Sequence, residues 1–76
     1  MELSELRKEI NEIDKELVEL FKKRLECSFN VAEYKLANNM EVFQADRENE
    51  IIRRVRNSLP EVLQNSAEVF FTTLMD

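Results

Sequence analysis

Glycine and histidine are both absent from this 76-residue sequence, and proline and cysteine occur once each, as Pro60 and Cys27. Each shortage closes off a class of structure. Tight hairpin turns lean on glycine to reach positive φ, so a sheet-rich fold is not expected. A lone thiol makes no internal disulfide, and without histidine a structural zinc site is not expected either. No apolar run approaches the ~20 residues that span a bilayer. Charged residues follow Met1 where a signal peptide would turn apolar, so a cytoplasmic, reducing setting is expected. With 11 basic against 16 acidic side chains and a net charge of −5, the basic patch of a nucleic-acid binder is missing too.

What remains is rich in Glu, Lys, Leu and Arg, all good helix formers. The length bounds the chain to a single domain over residues 1–76, too short to bury a sizeable core alone. Chains of this size are usually stabilised by disulfides, a metal or oligomerisation. With the first two set aside, oligomerisation is the expected source of buried surface.

The spacing predicts an all-α fold of three helices, one long and two shorter, over about 4–36, 45–57 and 60–76. Ser4 is placed to cap the first. Leu6, Ile10, Ile13, Leu17, Leu20 and Phe21 then recur at steps of three and four, which is one face of a helix. At 1.5 Å per residue that helix runs ~45 Å, a length that calls for an equally long partner. Asn38 and Asn39 end the pattern, Asn being tolerated in the left-handed conformation that closes helices. Residues 38–44 read as a loop. The second helix carries Ile51, Ile52 and Val55 on its apolar face. Ser58 to Glu61 fits a capping box with Pro60 in the first turn, and Asn65 with Glu68 offers a second start. Ala67, Phe70, Phe71 and Leu74 form the third helix's apolar face.

The charges that interrupt these faces carry the functional signal. Arg24 and Lys35 are eleven residues apart, within about 20° of each other around the helix. Both share the stripe of Leu6, Ile13, Leu17, Leu20 and Val31, with Ser28 between them. A cation directed at a core is costly unless it meets an anion. The bland account has both residues snorkel along the surface or pair with acidic neighbours. Glu48 projects onto the face of Ile52 and Val55, with Gln44 one turn earlier and Arg47 on the flank. It is either a salt-bridge partner of Arg24 or Lys35, or one wall of a polar pocket inside a helical bundle. Arg7 lies ~25 Å along the helix from Arg24, so only an antiparallel partner could bring it to the same place. Cys27 reads as a packing residue, since no histidine is present to activate it.

Those residues resemble a known family. The run Leu6, Arg7, Ile10, Ile13, Asp14, Leu17, Leu20 and Arg24, continued by Val31, Ala32 and Lys35, is similar to the first helix of all-helical chorismate mutases. Asp46, Arg47 and Glu48 followed by Ile51 and Ile52 resemble the opening of their second helix. Phe70, Phe71, Leu74 and Asp76 resemble part of their third. The resemblance implies an intertwined homodimer with two sites, each built from both chains. It implies that Arg24 and Lys35 hold the two carboxylates of chorismate, joined by Arg7 from the other subunit. Lys35 would also donate to the ether oxygen of the breaking bond, Glu48 would accept from the ring hydroxyl, and Arg47 would support the charged pocket. No metal or cofactor is implied, because the rearrangement to prephenate is pericyclic.

The sequence departs from that pattern twice. Gln44 stands where many relatives carry Asp, which keeps a hydrogen-bonding group and removes a charge. The family's third helix continues with a Ser and then a Gln that gives a second donor to the ether oxygen, and by register both fall beyond Asp76. The expectation is therefore a truncated chain or a domain cut from a longer protein, with reduced activity. A non-catalytic dimerisation or regulatory module, and an isochorismate-pyruvate lyase, stay open as alternatives.

Overall fold

The computed structural model describes residues 1–42 and 44–76; Phe43, in the expected loop, lies outside the described residues. Three helices follow one another, α1 (Leu3–Ala37), α2 (Ala45–Asn57) and α3 (Glu61–Met75), and no strand occurs among the described residues. None of these helices is long and apolar enough to cross a membrane. The chain divides into two compact units, Met1–Val42 and Phe43–Asp76.

The first unit is α1 and the turn that ends it. Ser4, expected as N-cap, lies inside the helix. The cap is Glu2, in extended conformation (φ −79°, ψ 154°), and its side chain makes no capping bond. The amides of Glu5 and Leu6 both donate to the Glu2 carbonyl at 3.1 Å. The remaining free amides of this exposed first turn can be satisfied by water, so no serine cap is demanded. Glu5 in the first turn and Lys35 in the last both complement the helix dipole.

The C-terminal end of α1 is closed by two interlocked backbone bonds. Asn39 sits in the left-handed region (φ 55°). Its amide donates to the Leu36 carbonyl at 3.3 Å, and the Met40 amide donates to the Lys35 carbonyl at 2.8 Å. That pairing is the Schellman motif, in which glycine is the usual left-handed residue and asparagine the usual substitute. The Asn38 side chain adds a bond from Nδ2 to the Tyr34 carbonyl at 2.8 Å. The two Schellman bonds thus satisfy the Lys35 and Leu36 carbonyls, which the helix end would otherwise leave short of a partner.

In the second unit α2 and α3 pack against each other. Ile51 and Val55 are the buried ones among its described residues, at 8% and 9% exposure. Ile52, Leu59, Ala67, Phe71 and Leu74 are half-buried around them. Phe70, expected on the same apolar face, is 53% exposed and meets Phe71 edge to face at 5.4 Å. The capping box expected at Ser58 does not form. Ser58 is spent on closing α2, its hydroxyl donating to the Val55 carbonyl at 2.7 Å. Pro60, which has no side-chain oxygen, is the N-cap of α3. Asn65 and Glu68, the alternative box, lie within α3 and both accept from Arg56 Nη1, at 3.0 and 3.4 Å. One guanidinium thereby ties the last turn of α2 to α3.

Candidate active site

Among the described residues of α1, only Arg24, Ala32 and Lys35 are half-buried, and the others are exposed. Two of these three are the cations singled out from the sequence. They lie three turns apart on one stripe, ~16 Å along the axis. Ser28 sits between them, and its small side chain leaves the intervening surface open. Arg24 has no ion-pair partner within its own unit. Lys35 is fixed at both ends by the turn that follows it, because its carbonyl accepts from Met40 and its ammonium donates to the Val42 carbonyl at 3.1 Å. Arg7 is exposed, on the second turn of the same helix. It is about 100° round from Arg24 as well as far along the axis.

Glu48, Arg47 and Gln44 all belong to the start of α2. Gln44 is the N-cap, extended at φ −134° and ψ 103°, and its carbonyl accepts from the Glu48 amide at 3.3 Å. The exposed Gln44 side chain makes no capping bond, which leaves its amide group available. Glu48 is half-buried on the face that carries Val55 about two turns later. It stands in the first turn of α2. Arg47 lies on the flank, exposed, with Nη1 on Glu50 Oε1 at 2.9 Å. An exposed pair of this kind is worth ~0–1 kcal/mol and is easily exchanged for another anion.

Among the described residues, the half-buried charged ones are Arg24, Lys35, Glu48, Arg56 and Glu68. Arg56 and Glu68 satisfy each other. The other three keep their charge available for a ligand: two cations on one unit, and a carboxylate on the other beside an amide and a third cation. Taken unit by unit, the two cations of α1 suit an anionic ligand and the carboxylate and amide of α2 suit a hydroxyl, since charge-assisted hydrogen bonds are the strong ones. Sequence reasoning missed the Lys35 to Val42 bond and the Arg56 bridge. The Asn38-Asn39 pair announces a turn, but which carbonyl that turn presents to a lysine is not a property of residue type.

The family model for chorismate mutase type II matches residues 6–76. Among curated proteins, the bifunctional chorismate mutase/prephenate dehydratase of Buchnera aphidicola subsp. Schizaphis graminum (strain Sg) is 38% identical over 56 residues. That alignment covers 74% of this chain, and the chain spans only 14% of the relative's length. No solved structure gives a significant match.

Proposed function

The chain belongs to the chorismate mutase type II family, and from that premise we propose that it rearranges chorismate to prephenate, as one mutase domain of a homodimer. The observation that carries the reading is the survival of half-buried Arg24, Lys35 and Glu48 without ion-pair partners inside their own units. A helical protein selected for stability alone gains nothing from three such charges.

The chemistry requires no nucleophile and no proton transfer. One C–O bond breaks while one C–C bond forms, and the barrier falls when the flexible substrate is held in its compact reactive conformer. Arg24 and Lys35 bind its carboxylates, with Arg7 of a second copy completing the grip. As the C–O bond breaks, negative charge grows on the ether oxygen. A Lys35 ammonium already directed there favours the transition state over the ground state. Glu48 accepts from the ring hydroxyl, Gln44 offers a further hydrogen bond to it, and Arg47 adds positive potential at the rim.

The dimer is supported by α1 itself. No residue of that 35-residue helix is buried, and its apolar stripe is open, with Ile13 at 54%, Leu17 at 48% and Leu20 at 60% exposure. Most helical stability in proteins comes from packing such a face, so a second α1 is the natural cover. The reading includes a cytoplasmic setting, in keeping with the lone thiol of Cys27.

The test is the loss of chorismate absorbance, with prephenate identified as product. Lys35→Ala is expected to lose ~3–4 kcal/mol of transition-state stabilisation, at least a hundredfold in kcat, while far-UV circular dichroism stays helical. A wild-type chain that leaves chorismate unchanged would sink the reading. Isochorismate offered in parallel should yield no salicylate.

A further inference from the structure

The turn after α1 holds Lys35 at both ends. Its carbonyl accepts from the Met40 amide at 2.8 Å, and its Nζ donates to the Val42 carbonyl at 3.1 Å. Between these two bonds stands Asn39, in the left-handed conformation that reverses the chain. A free lysine side chain samples many rotamers, and ordering it costs ~1.5–2 kcal/mol. An ammonium has three donors, so one bond to a carbonyl leaves two for a ligand. A neutral acceptor also keeps the positive charge intact, whereas a carboxylate in that place would cancel it.

We propose that residues 38–42 form a positioning device for Lys35, with the Val42 carbonyl as its contact and Asn39 as the residue that sets its geometry. The inference rests on the mutase reading above, and it adds two residues that act on the reaction through Lys35 without touching substrate. It also explains why a solvent-exposed loop would need a defined shape. The ammonium is aimed before substrate arrives, so ordering is not charged against the transition state.

Two variants of the whole chain test it. At 76 residues the chain is within reach of chemical synthesis, so the Val42 carbonyl can be replaced by a thiocarbonyl, a weaker acceptor, with no side chain altered. Asn39→Val, whose branched side chain resists positive φ, removes the turn by another route. Losing about one net hydrogen bond should lower kcat about tenfold in each, with KM within about twofold. Asn39→Gly keeps the left-handed conformation available and should retain most of the wild-type kcat. If Asn39→Val fails to fold, the thiocarbonyl chain decides alone. Turnover by the wild type with kcat unmoved by the thiocarbonyl overturns the positioning role and leaves the mutase reading standing. No turnover by the wild type overturns the mutase reading, and this role with it.

Discussion

Glu48 is the residue at which a structural and a catalytic role separate most cleanly. It stands in the first turn of α2, where a negative side chain complements the positive end of the helix dipole. A stabilising role would be met equally by any acidic residue on the exposed side of that turn, where Asp46 already stands. The half-buried face is different, because desolvation there is offset only by a partner. Glu48→Ala should therefore lower kcat/KM ~10- to 100-fold, the worth of one hydrogen bond to a charged group. Glu48→Gln, which still accepts a hydrogen bond but carries no charge, should fall between the two. Equal losses in both variants would show that charge alone matters, and no loss in either would remove Glu48 from the site. Arg24 allows a complementary measurement. Lysine supplies the charge without the planar fork that grips a carboxylate with two bonds. Arg24→Lys is expected to raise KM several-fold more than it lowers kcat, as measured by initial rates across substrate concentration.

At the level of elements, α2 and α3 are joined by an apolar contact and a polar one, and magnitudes separate them. Ile51 is 8% exposed, and truncation to alanine should cost ~2–4 kcal/mol in urea unfolding through lost burial and a residual cavity. The Arg56–Glu68 pair, with side chains 32% and 46% exposed, should couple by under ~1 kcal/mol in a double-mutant cycle. Three helices were legible from the sequence because the three- and four-residue apolar spacing runs unbroken between Leu6 and Phe21, and again from Ile51 to Val55. The caps were less legible. Ser4 and Ser58 both have the right residue type for an N-cap, yet one lies inside α1 and the other closes α2. A cap is decided by where the chain leaves the helix, and exposed amides leave that choice to water. Asn39 was readable for a firmer reason: in a chain without glycine, asparagine is the residue that reaches positive φ at least cost. Phe70 and Phe71 are adjacent positions 100° apart, so the two rings do not both face one narrow partner helix within the chain.

For the molecule as a whole, the proposed covering of α1 by a second copy would make stability and activity both depend on that copy. Unfolding temperature should rise with protein concentration, and sedimentation equilibrium should give twice the chain mass of 9.1 kDa. Leu17→Glu, which puts a charge into the middle of the stripe, should shift the mass towards the monomer and abolish turnover. Loss of activity on dissociation does not by itself prove that the site is shared, since the monomer also loses its fold. Mixing two inactive variants separates these possibilities. Arg7→Ala and Arg24→Ala each damage every site of their own homodimers. If the Arg24 of one chain meets the Arg7 of the other, as proposed, one of the two sites in a mixed dimer is intact and the other carries both lesions. Random exchange makes half of the dimers mixed, so about a quarter of wild-type activity should return after co-refolding. If Arg7 instead served its own chain, each site of the mixed dimer would carry one lesion and nothing would return. With both single variants inactive as homodimers, recovery near a quarter therefore requires Arg7 to cross the interface.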